Sequence, residues 1–218
     1  MRENIIIKLE NTKYYHNESD VKEYKNAQVE RHAAKMNKRR REGAYEEISL
    51  ELAPHISSAN TMLCMGTRNN HERDMFRKFL DLYCISSLDI ASASSADYVM
   101  DFNILPDEWT DKWDVIYSNA IDHAFSATDA FFEWLRVLKP GGYMYLDFNT
   151  SWAGIDTADC NAFTKESVLT FFNDNLDKIE IVMAGTGNRP REGGMQVIVK
   201  KKVLHEQEVK IYLNESNT

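Results

Sequence analysis

Apolar and polar positions alternate in blocks along residues 44–202, and the blocks have two lengths. Short runs of β-branched, aromatic or sulfur-containing residues, such as residues 61–65 and 115–117, are typical of buried parallel strands. Longer stretches between them space their apolar residues three or four apart, as in Phe131, Leu135 and Leu138, which is the stripe of an amphipathic helix. The pattern therefore predicts strands that alternate with helices.

The clearest unit runs from Asp114 to Asp147. It predicts a strand over 115–117, a helix over 125–138, a turn at 140–142 where Pro-Gly-Gly cannot continue the helix, and a strand over 143–146. A strand, crossover helix and strand of this length form a right-handed parallel unit. Ligands bind beyond the carboxyl ends of such strands, where this unit carries Asn119, Asp122, His123 and Asp147.

The last two apolar runs, residues 178–183 and 195–199, have a glycine-rich loop and no helix between them. They predict an antiparallel hairpin. Together with the preceding strand–helix alternations, this order predicts an α/β fold: a doubly wound, mostly parallel seven-stranded sheet that closes with a C-terminal hairpin.

Three segments are expected. Residues 1–43 form an N-terminal helical extension, residues 44–202 the α/β domain, and residues 203–218 a tail. Within the extension, a helix is expected from Asp20 to the basic run Lys38–Arg41, with a break at Gly43. Three interpretations of the basic run stay open: it binds phosphates, it is a solvated helix end, or it belongs to a lid over a neighbouring site.

Composition narrows the class of protein. The apolar fraction of 43% suffices for a core without disulfides or metal, and the three cysteines, Cys64, Cys84 and Cys160, are odd in number and lack metal-ligand spacing. We expect Cys64 and Cys84 to be small core residues in a reducing cytoplasm. No signal peptide or membrane-spanning run is apparent, so a cytoplasmic location without membrane partners is expected.

Charge is spread unevenly along the chain. Residues 1–42 hold 11 Lys/Arg and 7 Asp/Glu, a balance of +4, whereas the remainder holds 15 and 27, a balance of −12. The negative charge of the remainder of the chain disfavours nucleic acid as a partner, and the positive charge of residues 1–42 does not exclude it.

Gly66 and Asp89 supply the first candidate chemistry. Gly66 lies straight after a predicted strand and before a helix, where a ligand can approach the backbone closely. Asp89 follows 23 residues later at the end of the next strand, close to the spacing of an acid that binds ribose hydroxyls. On spacing alone, Asp89 could equally be a helix N-cap.

Several motifs together resemble the class I S-adenosylmethionine-dependent methyltransferases, closest to the broad branch described as methyltransferase type 11-like. The resemblance spans roughly residues 45–202. Its strongest motif is Arg-Val-Leu-Lys-Pro-Gly-Gly at 136–142, and weaker ones are residues 63–69, Asp89, residues 101–106 and 113–119.

The resemblance implies S-adenosylmethionine as cofactor and a role for each matching position. Gly66, Thr67 and Arg68 would face its amino-acid part. Asp89 would bind the ribose with Ile90 beside the adenine, Asp101 and Phe102 would contact the adenine, and Asn119 and Ala120 would border the methionine moiety and the acceptor.

One departure from the family pattern concerns the first loop. The family usually has Gly-x-Gly-x-Gly there, and Arg68 and Asn70 replace the second and third glycines. Arg68 could pair with the cofactor carboxylate, or the substitutions could weaken or abolish cofactor binding.

The expected activity is in-line methyl transfer to a small or sugar-like acceptor, in which the protein mainly aligns the reactants. His123 is the preferred general base because the intrinsic pKa of histidine lies near neutrality, and Asp122 is the second candidate. The alternatives are a non-catalytic binding or scaffolding protein of the same fold, and a methyltransferase for RNA or nucleotides. The sequence leaves the acceptor and the oligomeric state open.

Overall fold

The computed structural model describes residues 11–12, 18–82, 84–151, 159–185 and 194–203. Residues 186–193 of the predicted glycine-rich loop, residues 204–218 of the predicted tail and residues 1–10 lie outside the described residues. The expectations for these segments stay predictions.

Nine strands occur in the part of the chain that the structure describes. Two short ones, β1 (Asn11–Thr12) and β7 (Asn161–Ala162), pair antiparallel with each other. The other seven form one sheet: β2 (Thr61–Met65), β3 (Cys84–Asp89), β4 (Tyr98–Val99), β5 (Trp113–Ser118), β6 (Leu138–Asn149), β8 (Ile179–Gly185) and β9 (Gly194–Lys201).

The seven-stranded sheet has the order β4-β3-β2-β5-β6-β9-β8. The strands from β4 to β6 are mutually parallel, and β9 runs antiparallel between β6 and β8. The chain moves outward from β2 to β4 and then returns to the other side of β2 at β5, so the switch point lies between β2 and β5. The predicted fold with its closing hairpin is confirmed.

Helices cover both faces of the sheet. Along β2, Met62 and Cys64 share a core cluster with side chains of α2 (Glu42–Leu52) and α3 (His71–Phe79). Leu63 and Met65 share the opposite cluster with α4 (Ala127–Val137) and α5 (Lys165–Asp174). Successive strand residues point to opposite faces, so the continuous apolar run of β2 fills two cores at once.

The sequence prediction was wrong at the Pro140–Gly142 turn. The helix ends at Val137, and β6 begins at once with Leu138. The register with β5 shifts between the pairs Trp113–Leu138 and Val115–Tyr143, so residues 139–142 bulge out of the strand pair opposite Asp114. A Cβ on Gly142 would meet the carbonyl oxygen of Asp114 at 2.8 Å, so this glycine allows the two backbones to approach inside the sheet.

Two further element predictions need correction. No α-helix lies between Asp89 and β5 within the described residues; the connections hold β4 and a 3₁₀ turn at Asp107–Trp109. Residues 90–97 are too few for a crossover helix and consist mainly of alanine and serine. Cys84 is exposed at the start of β3, whereas Cys64 is buried in the core as expected.

The N-terminal helix, α1 (Glu18–Ala34), ends well before the predicted break at Gly43. The backbone leaves the helix because the first βα loop captures its next carbonyl groups: Asn69 Nδ2 donates to the carbonyl oxygens of Met36 at 2.7 Å and Lys38 at 3.2 Å. The basic run therefore is not a solvated helix end. It lies against the carboxyl ends of the strands.

The described helices include none that is both long and apolar enough to cross a lipid bilayer.

Candidate active site

The carboxyl ends of β2, β3, β4 and β5 meet beneath α1, and Gly66 lies at their centre. Its φ of 73° is in the left-handed region, and its N–H donates to the carbonyl oxygen of Leu88 at 2.8 Å. A Cβ at this position would lie 2.7 Å from the Cβ of Ala120 and 3.5 Å from Phe102. Only glycine therefore allows the first loop to lie this close to the end of β5.

Thr67 and Arg68 continue this loop in different ways. Thr67 is buried, and its hydroxyl donates to Asn70 Oδ1 at 3.3 Å, so its side chain stabilises the loop rather than lining a cavity. Arg68 has a φ of 47°, which turns its backbone N–H towards Asp89, and its side chain lines the cavities described below. The two positions where the family motif has glycines, Arg68 and Asn70, both adopt the left-handed conformation that glycine favours.

Asp89 ends β3 with a buried carboxylate whose two oxygens are both engaged. Oδ2 accepts from the N–H of Arg68 at 2.8 Å. Oδ1 accepts from the N–H of Ala91 at 2.9 Å and lies 3.0 Å from His32 Nδ1 on α1. No helix begins at Asp89, so the helix N-cap alternative does not apply.

Asp101 and Phe102 follow β4 on the same edge of the sheet. Asp101 accepts from the N–H of Asn103 at 3.0 Å and pairs with Lys25 of α1 at 3.3 Å. Phe102 packs edge-on against Trp134 and presents part of its ring to the space below α1.

A small cavity of about 50 Å³ remains between α1 and these strand ends. It brings together eight of the predicted site residues, and α1 forms its opposite wall. The lining residues are Gly66, Arg68, Asp89, Ile90, Asp101, Phe102, Ala120 and His123 from the domain, and Tyr24, Gln28, Arg31 and His32 from α1. Drug-sized ligands occupy pockets of roughly 300–1,000 Å³, so α1 fills much of the room that such a ligand would need.

His123 lies in a 3₁₀ turn, Ile121–His123, after β5. Its Nδ1 is 2.8 Å from Asp159 Oδ1, and Arg31 of α1 contacts the other oxygen of Asp159 at 2.5 Å. Burial raises the pKa of Asp159, but the hydrogen bonds from His123 and Arg31 outweigh it and hold that pKa below its ordinary value. An ionised Asp159 favours the tautomer with its proton on Nδ1, which makes Nε2 the basic nitrogen of His123.

Asn161 of β7 fixes the turn that carries His123. Its Nδ2 donates to the carbonyl oxygens of Asp122 at 3.3 Å and Ala124 at 2.5 Å. Ser126 caps α4 by accepting from the N–H of Asp129, so Asp122 is not the cap of that helix. The carboxylate of Asp122 lies 3.9 Å from His123 Nε2.

A second, larger cavity of about 650 Å³ lies beside the first. The two share Gly66, Arg68, Ala120, His123 and Arg31, so they are adjoining parts of one site. Among the predicted residues, Asn119 and Asp122 line only the larger cavity, and Asp159 joins them there.

The side chain of Asp147 lies in a different environment from those of the other residues predicted at the strand ends. It is 2% exposed and pairs with Arg40, while its other oxygen accepts from Gln196 Nε2 at 2.8 Å. Asp147 therefore serves to hold Arg40 and is not available as a general base.

One group of side chains in the described part of the chain could offer ligands to a metal ion: Asp122, His123 and Asp159, whose ligand atoms lie within 4.8 Å of one another. The guanidinium of Arg31 contacts Asp159 and puts positive charge beside the space that a cation would take. This arrangement favours a hydrogen-bonded network over a metal centre.

Comparison with known proteins rests on solved structures, because no family model and no curated protein matches this sequence. The 1,6-didemethyltoxoflavin-N1-methyltransferase of Burkholderia thailandensis, solved with 1,6-didemethyltoxoflavin and S-adenosylhomocysteine bound, superposes with a TM-score of 0.68. The identity is 11%, and the match covers 88% of this chain and 93% of that one. The chain has the class I methyltransferase fold.

Other structures of this fold differ in activity. The CurJ carbon methyltransferase matches with a TM-score of 0.56 at 11% identity, over 74% of this chain and 54% of that one. The [4+2]-cyclase SpnF matches with a TM-score of 0.55 at 14% identity, over 73% of this chain and 81% of that one. Because a cyclase shares the fold, the class I methyltransferase fold does not by itself fix the reaction.

Sequence reasoning missed Arg31, His32 and Asp159, three residues that complete the site. Arg31 and His32 belong to α1, whose sequence is mostly charged and does not show which face of the helix packs on the strand ends. Asp159 lies in a loop without periodicity. Only the fold brings these three side chains to the strand ends.

The docking of α1 is expected to weaken below about pH 6.5. Burial lowers the pKa of His32, and the attraction of Asp89 offsets this only in part, so the docked imidazole is neutral near pH 7. A detached α1 regains the ordinary histidine pKa of about 6.5 and binds the extra proton. Docking is thus strongest above that pH and is lost as the pH falls from there towards the lowered pKa.

Amide hydrogen exchange of α1 measures this effect. Protection of α1 should be lower at pH 5.5 than at pH 7.5 once intrinsic exchange rates are corrected for, both values being chosen to bracket a pKa of about 6.5. The H32Q variant should lose the pH dependence. Equal protection of α1 at both pH values would contradict the expectation.

Proposed function

We propose that this protein is an S-adenosylmethionine-dependent methyltransferase that methylates a small-molecule acceptor by in-line transfer. The observation that carries the proposal is the buried carboxylate of Asp89 at the end of β3, beside Gly66 at the switch point of the sheet. A vicinal diol needs a two-oxygen acceptor, and this carboxylate has the position in the fold where nucleotide riboses bind.

The chemistry of the lining residues fits this cofactor. In the proposal Asp89 accepts from the ribose hydroxyls, Ile90 and Phe102 enclose the adenine, and Asp101 lies near its amino group. Gly66 lines the same cavity without a side chain, so its backbone is open to a ligand there.

The methionine part would then lie towards the larger cavity. Thr67 contributes through its backbone because its side chain turns into the loop, and Arg68 offers a guanidinium to the carboxylate. Asn119 and Ala120 border the sulfonium and the acceptor. The cofactor supplies the electrophilic methyl group, and the protein aligns the nucleophile with it and excludes water.

In this proposal α1 acts as a lid. The cavity of about 50 Å³ cannot admit an adenosine while His32 contacts Asp89 and Lys25 contacts Asp101. Cofactor entry therefore requires α1 to move and to release both carboxylates. Lids of this kind seal the reactants from water once they close again.

His123 is the proposed general base. With Nδ1 oriented by Asp159, Nε2 accepts a proton from the hydroxyl or amine of the acceptor as the nucleophile attacks. Asp159 stays ionised and stabilises the imidazolium that forms. Asp122, whose carboxylate lies 3.9 Å from Nε2, adds a second negative charge that favours the protonated ring.

A non-catalytic binding protein is the second candidate, and one observation favours it. The two carboxylates that would bind the cofactor are already engaged by side chains of α1. A chain that had lost its cofactor could have filled the vacant site in this way.

Calorimetric titration with S-adenosylmethionine and S-adenosylhomocysteine separates the two candidates. We expect saturable one-to-one binding in the micromolar range by the full-length chain. A folded protein, verified by a cooperative thermal transition, that binds neither compound would exclude the methyltransferase and support the binding protein.

A further inference from the structure

The larger cavity concentrates positive charge in an acidic protein. Its lining includes six cationic side chains: Arg31, Lys35, Lys38, Arg39, Arg40 and Arg68. Three carboxylates line it as well, those of Glu72, Asp122 and Asp159. The chain as a whole has a net charge of −8, so this excess of cations is local to the cavity.

Within the described ranges, four of the six cations have no carboxylate partner. Arg31 pairs with Asp159, and Arg40 with the buried Asp147. Among the described residues, by contrast, the set of Lys35, Lys38, Arg39 and Arg68 makes no ion pair with any carboxylate. Burial and then the neighbouring cation Arg31 lower the pKa of Lys35, and the carboxylate of Asp159 offsets this only in part.

The structure also fixes the backbone that carries these cations. We call residues 35–41 the basic segment. Asn69 donates to the carbonyl oxygens of Met36 and Lys38, and the His71 ring nitrogen Nε2 lies 2.9 Å from the carbonyl oxygen of Arg40. Arg40 is inserted between Asp147 and Tyr117 and acts as an anchor. These contacts hold the backbone of the basic segment at the rim of the cavity before any ligand binds, while the side chains of Lys38 and Arg39 stay exposed.

We infer that the larger cavity takes an acceptor that carries a phosphate group. The inference rests on the proposed function and names the class of its acceptor: a phosphorylated small molecule. Its phosphate contacts Lys38, Arg39 and Lys35, while its nucleophilic atom lies near His123, which lines the same cavity.

Phosphate fits this lining better than a carboxylate. A monocarboxylate is satisfied by one bidentate arginine, whereas a phosphate carries up to two charges and three acceptor oxygens, which suits several cations around one point. The volume of about 650 Å³ suits a small ligand, and the acidic remainder of the chain repels a long nucleic acid.

Titration with inorganic pyrophosphate, in the presence of saturating S-adenosylhomocysteine, tests the inference. The K38Q/R39Q double variant should bind pyrophosphate at least about tenfold more weakly than the wild type, because each charged hydrogen bond contributes that order of affinity. The K35Q variant should also bind pyrophosphate more weakly than the wild type, which tests the inference at a second position.

The K22Q/K165Q double variant is the matched control. It removes the same two charges from exposed sites outside the cavity and should bind pyrophosphate like the wild type. Equal weakening in both double variants would reduce the effect to net charge and overturn the inference. Absence of pyrophosphate binding by the wild type would also overturn it, as would malonate binding as tightly as pyrophosphate at matched ionic strength.

Two arms separate this inference from its rivals. A short single-stranded RNA that displaces pyrophosphate, binds far more tightly and shows a steep salt dependence would replace the small acceptor with RNA. Titration with S-adenosylhomocysteine alone tests the cofactor site. Its failure while pyrophosphate still binds would end the methyltransferase proposal, and binding of S-adenosylhomocysteine without pyrophosphate would end only the inference.

Discussion

The D89A variant is expected to bind S-adenosylhomocysteine about 100-fold more weakly than the wild type. In the proposed complex, the Asp89 carboxylate accepts two hydrogen bonds from the ribose. A hydrogen bond to a charged group contributes roughly 1.5–3 kcal/mol, so the loss of two costs about 3 kcal/mol or more. At 1.4 kcal/mol for each factor of ten, calorimetry should record about two orders of magnitude in Kd.

The D97A variant is the control for this experiment. Asp97 also accepts from a backbone N–H, that of Ser87 at 2.8 Å, and pairs with Arg73 at 2.8 Å, but it lies outside both cavities. It should retain cofactor affinity even if its stability falls. Should D89A bind within twofold of the wild type, or should both variants weaken alike, Asp89 is not the ribose ligand.

The R40M variant is expected to lose about 3–5 kcal/mol of its free energy of unfolding. Burial lowers the pKa of the Arg40 guanidinium, but Tyr117 and Asp147 more than compensate, so it stays charged beside the buried Asp147. Removing one partner of a buried pair leaves the other charge without its counter-ion, which costs this much. Total stabilities are about 5–15 kcal/mol, so the transition temperature should fall by roughly 10 °C or more.

Two further variants isolate the ion pair. R39M removes the adjacent exposed arginine by the same chemical change and should melt like the wild type. The R40M/D147N double variant removes both charges and should regain most of the stability lost by R40M. A double variant as unstable as R40M alone would mean that packing of the arginine stem, and not the ion pair, is what matters.

The fold could be predicted from the sequence because its main signal is local. The buried runs of β2, β5 and β6 and the stripe of α4 follow from periodicity alone. The sequence also indicated the antiparallel closure, since too few residues separate β8 from β9 for a crossover helix. The bulge at Pro140–Gly142 could not be predicted, because it depends on the neighbouring strand β5, and a proline–glycine run has the same local signature in a turn.

In the candidate site, too, some residues could be predicted from the sequence and others could not. Gly66, Asp89 and His123 were predictable because each lies at the end of a strand or shortly after it, and strand ends converge in any parallel sheet. His32 and Asp159 were not, since their places depend on where a polar helix and an aperiodic loop dock. The roles assigned to all of these residues remain predictions until the titrations above are made.

The pairing of β1 with β7 has a consequence for the order of events in turnover. β1 precedes α1, and β7 directly follows the loop residues Asp159 and Cys160, so α1 is tethered to the loop that orients His123 as well as to α2. Moving α1 to admit the cofactor must break the contact between Arg31 and Asp159. Asp159, which orients His123, would regain its contact with Arg31 only after α1 has closed again. We therefore expect a compulsory sequence in which the cofactor enters first and the acceptor is activated second, which protects the reactive sulfonium from water.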